Sequence, residues 1–357
     1  MPISAIDTIE LAFQHTKRQL LQPFRFGQWT RLAFVGLLAG ELGSGGSFNF
    51  PSNFNSAQRG SQHPLGQLPK IDPALLFGLI ATIVVTGLIL MVVMMYISSV
   101  MRFILFDGVL KKECHIRQGW TSRQGNGWEY FLWQIGLMFV TLAGVLLLLG
   151  VPLLFAYSAG WLTHARDHVL ALVLSGIVVI SLFLVFFVAV AVVHVLTKDF
   201  VVPQMALEGI GAIEAWRRLW PMLQVEKSGY AAYVGMKIVL AIGASIVVGI
   251  ASFILGVLVA IPVIGVVIAV VLAGKTTGIS WNALTITAAV VAACILFAIV
   301  MYLIAMISVP VIVFFPAYAM YFFAPRYRPL SLVLYPPQAA VNLIPPLPNA
   351  PPDPAPA

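Results

Sequence analysis

The sequence predicts an all-α polytopic membrane protein, with about six transmembrane helices in three hairpins and amphipathic helices on the inner surface. Three observations carry this. Apolar residues make up 60% of the 357 and charged residues only 9%, whereas a water-soluble domain carries about 25% charge. A chain of this length cannot hide so much apolar surface in one soluble core. Several runs also reach the roughly 20 apolar residues that cross about 30 Å of hydrocarbon. Finally, Lys and Arg gather in alternate connecting segments, as the positive-inside rule describes.

Taken in order, residues 4–22 place Ile6, Ile9, Phe13 and Leu20 on one helical face, with Ser4-x-x-Asp7 as a capping box. Such a helix is expected to lie on a membrane surface. Asp7, Glu10, Lys17 and Arg18 interrupt it, so it is not read as a cleavable secretion signal. A first span is expected over residues 24–40, starting near the interface because of Arg31. Long spans follow over 75–106, 128–157, 168–197 and 281–323, with tilt or extension past the bilayer.

The stretch 230–273 is too long for one span and contains Pro262 and Gly265. Charge placement decides between its readings. With six spans, 16 of the 20 basic residues fall on inner segments, and only Arg59, Lys70, Arg166 and Lys275 fall outside. A second full span here would move Arg326 and Arg328 outside and weaken that bias. Residues 262–272 are therefore expected to be re-entrant or interfacial, with a seventh span as the alternative. Both termini are expected in the cytoplasm.

Three units are visible, 1–106, 107–198 and 199–326, within a helical membrane domain over 1–330. Each pairs an inner amphipathic segment with a glycine–aromatic entry into a span: Gly27–Gln28–Trp29, Gly127–Trp128 and Gly229–Tyr230. Trp and Tyr at span ends also follow from the interfacial belt alone. Residues 331–357 form a Pro-rich tail, expected to be disordered.

Few residues offer chemistry. The acidic residues fall in loops or near span ends, the most embedded being Glu41, Asp107, Glu129 and Asp199, and only His194 and Lys237 intrude into spans. Ionisable groups inside a bilayer mark function by default, so a proton-coupled carrier is disfavoured. His164-Ala-Arg-Asp167-His168 resembles a short metal motif, but no third ligand is indicated, and a polar cap between spans is the plainer reading. Cys114 and Cys294 fall at different depths and read as packing residues. No nucleotide-binding or zinc pattern is present. No cofactor, metal or catalytic residue is expected, and the chain is read as no enzyme. The net charge of +7 is explained by topology rather than by nucleic acid.

Two sets of residues stand out. Trp216, Arg217, Arg218 and Trp220 lie in an amphipathic segment, with Glu214 and Arg218 spaced for a helical ion pair. They are the expected contact with membrane lipid, the expected partner. Ala241, Ser245, Gly249, Ser252 and Gly256 form a small-residue stripe suited to helix packing, internally or in a homodimer.

The run Asp199-Phe-Val-Val-Pro203-Gln-Met-Ala-Leu-Glu208-Gly209, followed by Ala215-Trp216-Arg217-Arg218 and by Tyr318-Ala-Met-Tyr-Phe-Phe323, resembles uncharacterised bacterial multi-pass proteins. These are similar to the membrane domain attached to some glycerophosphodiester phosphodiesterases. The resemblance spans residues 1–330 and implies an inner-membrane location and six spans. The phosphodiesterase catalytic domain is absent from this chain. The expected function is a membrane scaffold or lipid-interacting protein; the alternative is a transporter or channel with a cavity between the hairpins.

Overall fold

The computed structural model describes residues 4–22, 24–41, 73–161, 166–277 and 283–335, and every regular element among them is helical. Two short helices, α1 (Asp7–Leu21) and α2 (Phe26–Leu38), precede three long ones, α3 (Pro73–Leu110), α4 (Ile116–Ser158) and α5 (Val169–Leu196). A π turn (Thr197–Val201) leads into α6 (Val202–Glu208), α7 (Ala212–Val225), α8 (Lys227–Thr277) and α9 (Ala283–Phe323). A 3-10 turn (Ala324–Arg326) and α10 (Arg328–Leu334) close the described chain. Helical structure thus continues past residue 330 to Leu334, because Leu330 is fully buried and holds this turn against the core. The proline-rich run from Pro336 lies outside the described residues.

Five helices are long and apolar enough to cross a membrane: Ile80–Leu110, Ile116–Ser158, Val169–Glu208, Lys227–Gly265 and Thr287–Arg326. The expected first span over 24–40 is instead the 13-residue α2, about 20 Å long at 1.5 Å per residue. That is short of a full hydrocarbon crossing. Its place still matters for topology. Tyr318 donates its hydroxyl to the Ala5 carbonyl (3.1 Å), and the Tyr321 and Tyr335 rings meet at 6.3 Å. The first and last helices therefore sit at the same end of the bundle. α2 runs antiparallel to α3, from Gln28 beside Lys112 to Gly40 beside Ser98.

The expected re-entrant segment over 262–272 does not form. α8 runs unbroken for 51 residues with Pro262 inside it. Proline removes one backbone hydrogen bond and bends a helix, but an apolar helix with no water to compete for its backbone continues through it. At about 77 Å, α8 is long enough both to cross a bilayer and to extend into the core.

Burial is concentrated at one end. The buried side chains come from α1 and α2, residues 100–109 of α3, the start of α4, residues 196–219, the start of α8 and the last third of α9. Away from that end the helices expose continuous apolar surface, such as Ile83 and Leu88, Leu146 and Leu154, Ile180 and Val185, Phe253, and Phe297. Water does not tolerate surface of that extent. The mean position of the core, at one end rather than midway, is the main feature of the fold.

α1 joins this core with its polar face. Ser4 and Asp7 pair as the capping box requires, Asp7 N–H donating to Ser4 Oγ (3.2 Å). Thr8, Ala12, His15, Thr16 and Gln19 are buried, while Ile6 and Phe13 are exposed. Of the expected apolar face, Leu20 is buried in the core and Ile9 packs against it, while Ile6 and Phe13 stay exposed, and polar residues share the docked face. The reason lies in α3, whose last carbonyls have no helical partner. Gln19 Nε2 donates to Gly108 O (2.8 Å), and His15 Nε2 to Val109 O (3.0 Å). A carbonyl only accepts, so Nε2 carries the proton and Nδ1 accepts from the Tyr321 hydroxyl (3.1 Å). Burial lowers the His15 pKa from its ordinary value, with Lys112 and Arg18 acting in the same direction.

Two predictions follow from these contacts. A Cβ on Gly127 would stand 2.5 Å from Val100 Cγ2 and 3.0 Å from its Cα, whereas one on Gly27 meets nothing within 4 Å. Gly127→Ala should destabilise the detergent-solubilised protein by about 1–3 kcal/mol, and Gly27→Ala should leave it unchanged or raise stability by about 0.5–1 kcal/mol. Thermal unfolding of the two variants side by side checks this. His15 is neutral when folded and binds a proton more readily when unfolded. Its contribution is therefore complete above its ordinary pKa of about 6.5 and is lost as pH falls below that value, by at most about 1.4 kcal/mol per pH unit. The unfolding midpoint should fall more steeply between pH 7 and 5 in the native protein than in His15→Gln.

Candidate functional site

The densest polar chemistry of the molecule lies where α2, α3, the π turn, α8 and α9 meet. It originates in Pro203. In a regular helix its ring would clash with the carbonyl of residue 199 and its missing N–H would leave that carbonyl unpaired. The chain widens instead: Thr197–Val201 is a π turn, and Val202 N–H bonds to Thr197 O, five residues back. Such turns are frequent at functional sites. This one buries two adjacent charges, Lys198 and Asp199, each aimed at a different helix.

Asp199 Oδ2 accepts hydrogen bonds from Lys237 Nζ and from the Tyr233 hydroxyl (2.9 Å). Lys198 Nζ donates to the carboxylate of Glu41, just past α2. Arg102, from α3, donates to the Tyr130 hydroxyl (2.7 Å) and to Ala39 O (3.1 Å). All five ionisable residues are nearly excluded from solvent, Asp199 being 4% and Arg102 8% exposed. Lys237 also lies over the Phe315 ring (5.9 Å), and Tyr233 stacks on Tyr318 (5.1 Å).

Glu41, Arg102, Lys198 and Asp199 line a cavity of about 30 Å³ with Pro203, Pro316 and Met320. Such a space takes a water or two and no organic substrate. Each carboxylate is held by a lysine, and no nucleophile stands beside a base. The arrangement is suited to fixing helices against one another. Among the described residues no group of His, Cys, Asp and Glu could hold a metal ion; His164 lies outside them, and His168 packs on Trp161. Burial pushes the Cys114 thiol up to about 11, so it remains protonated and unreactive.

Further ion pairs fasten the same end. Arg123 grips Asp107 with two hydrogen bonds (2.7 and 2.8 Å) and donates to Ala206 O (2.6 Å), closing the C-terminus of α6. Arg326 holds Glu226 in the same bidentate way (2.8 and 2.6 Å), keeping that carboxyl below its usual pKa, and lies 3.9 Å over the Phe322 ring.

The residues singled out in the sequence are divided by the structure. Trp216 turns inward, its indole N–H on Thr197 Oγ1 (3.1 Å) and its ring against Trp133. Arg218 is engaged by Glu214, as spaced, and by Glu208. Arg217 and Trp220 are exposed, Trp220 by 57%. Along the small-residue stripe, Ala241, Ser245 and Ser252 are half-buried, but a Cβ on Gly249 or Gly256 would touch nothing within 4 Å. Among the described residues no other helix comes close at those glycines. Sequence reasoning named Glu41, Asp199 and Lys237 singly and did not join them. The available signal was the adjacent Lys198–Asp199 pair four residues before Pro203.

Breaking one partner of a buried pair leaves an uncompensated charge, which costs about 3–5 kcal/mol. Asp199→Asn or Lys237→Met should each lower thermal stability by that order. The double variant should recover part of it, because both charges are then gone. Equal, additive losses in the double variant would show that the pair is not coupled.

No curated protein and no solved structure matches the chain. The model of a family described as of unknown function (DUF7544) matches residues 3–333. That match takes in every helix around the ionic cluster, and it makes no link to phosphodiesterase-associated membrane domains. The chain belongs to this family of unknown function, DUF7544.

Proposed function

We propose that the chain is a non-enzymatic multi-pass protein of a bacterial inner membrane that engages anionic lipid at its core end, where both termini face the cytoplasm. One observation carries this reading. Beside the start of α2 and the start of α4, two adjoining crevices of about 610 and 270 Å³ are lined by Arg25, Arg31, His115 and Arg117, with one acidic residue, Glu113, in the smaller, 3.4 Å from His115. Phe24 and Phe26 stand exposed next to them. Arg25 and Arg117 make no ion pair among the described residues, and Arg31 reaches only the Cys114 carbonyl at 3.4 Å. Unpaired arginines beside exposed aromatics suit the phosphate level of a membrane, where each basic side chain contributes about 1 kcal/mol to binding anionic lipid. On α7, Arg217, which Glu214 also meets at 3.5 Å, and Trp220 stand exposed. The inner-membrane setting rests on the phosphodiesterase-associated resemblance.

A transporter or channel is the second reading, drawn from Pro152, Pro262, Pro310 and Pro316 inside long helices. It needs a continuous hydrophilic path. The small cavity at the ionic cluster, closed by paired charges, supports the scaffold reading over this one.

The test is lipid retention by the full chain in nanodiscs containing phosphatidylglycerol. Reversing two charges, as in Arg31→Glu with Arg117→Glu or Arg217→Glu with Arg218→Glu, should lower co-purifying phosphatidylglycerol by at least about five-fold, as about 1 kcal/mol per side chain requires. Unchanged phosphatidylglycerol in both double variants would remove the proposal.

A further inference from the structure

The buried ionic cluster does not balance. Its cations are Arg102, Lys198 and Lys237 and its anions Glu41 and Asp199, so one positive charge is left over among the described residues. The two carboxylates are taken by the lysines, Glu41 by Lys198 and Asp199 by Lys237. The excess therefore falls on Arg102. Its terminal nitrogens donate to the Tyr130 hydroxyl (2.7 Å) and the Ala39 carbonyl (3.1 Å), both neutral, and it forms no ion pair among the described residues. Such bonds satisfy donors without cancelling a charge. A lysine in this position could shed its proton, but a guanidinium cannot. A buried charge without its opposite is among the most costly features a fold can carry.

Arg102 also borders the cavity of about 30 Å³, and Lys198 borders it from another side. Glu41 and Asp199 are part of the same wall, each already paired with a lysine. The rest is apolar, including Leu105 and Phe106 of α3, Val202 of α6 and Met320 of α9. A space that takes a water or two admits a halide, which is little larger than water. It is too small for a sugar acid or a lipid headgroup.

We propose that this cavity binds one small monovalent anion, of the size of chloride, as the counter-ion of Arg102. The ion cancels the excess charge where α3, the π turn and α9 meet, and so completes the cluster that fixes these helices. The site is independent of the lipid-interacting reading, since none of the crevice arginines borders this cavity.

The experiment is thermal unfolding of the full chain in a neutral detergent, with sodium gluconate replaced by sodium chloride or bromide at constant ionic strength. Gluconate does not fit the cavity and serves as the reference anion. The native midpoint should rise by about 2 °C for each tenfold rise in halide above its dissociation constant. In Arg102→Met the halide effect should vanish. That variant also leaves the Tyr130 hydroxyl and the Ala39 carbonyl without their donor, so a second variant keeps the test independent of its folding. Met320→Glu places a carboxylate in the cavity wall. It should unfold in gluconate close to the temperature that the native chain reaches in chloride, with no further gain from halide. A native midpoint equal in gluconate and halide would overturn the proposal, whether the cavity holds water alone or a lysine has given up its proton. A halide effect that persists in Arg102→Met or in Met320→Glu would overturn it as well.

Discussion

A charge removed from water must meet its opposite, and this constraint organises the core end of the molecule. Lys198 and Asp199 are neighbours in sequence, and successive helical side chains diverge by about 100°. Once the π turn buries both, a single partner helix cannot satisfy them. Glu41 reaches one from the end of α2, and Lys237 with Tyr233 reaches the other from α8. Arg102 bonds to Ala39 and Tyr130, tying α2 and α4 to α3 between these pairs. The positions of α2, α3, α5 and α8 are therefore set together by one polar centre. Helices surrounded by lipid gain little hydrophobic drive toward one another, so polar bonds and close packing decide how they associate.

The same reasoning accounts for the contrast between the two ends. Beyond the core the long helices carry few groups that must find partners, and their apolar side chains are as well placed against lipid as against each other. Close approach is confined to particular points. Gly144 admits the Phe186 ring between α4 and α5, and Gly127 admits Val100 between α4 and α3. At Gly249 and Gly256, on α8, nothing comes near.

Much of the architecture is legible in the sequence. Low charge and long apolar runs yield an all-helical chain and its long helices. What is not legible has identifiable physical causes. Periodicity names Ile6, Ile9, Phe13 and Leu20 as the apolar face of α1, of which Leu20 and Ile9 meet the core, but it gives no sign that His15 and Gln19 dock beside them. A moment calculation weighs burial of hydrocarbon, and it cannot see that α3 ends in carbonyls needing donors. Pro262 reads as a break because proline breaks helices in water, where the freed carbonyl and solvent compete. The ionic cluster is missed because its members come from positions 41, 102, 198, 199 and 237, and only the adjacent pair before Pro203 is local. Glu129 looks like an ordinary span-end acid until α7 brings Gly211 against it.

These failures share a pattern that bears on function. Wherever apolar pattern misleads, a polar side chain is satisfying a backbone group or a charge from a distant helix. His15 and Gln19 close α3, Gln28 bonds to the Lys112 carbonyl, and Asn126 and Arg123 close α6. The core end thus consumes most of its polar groups internally. What is left over at its surface is then informative: Arg25 and Arg117 at the crevices make no ion pair among the described residues, whereas Arg217 is already held by Glu214 (3.5 Å).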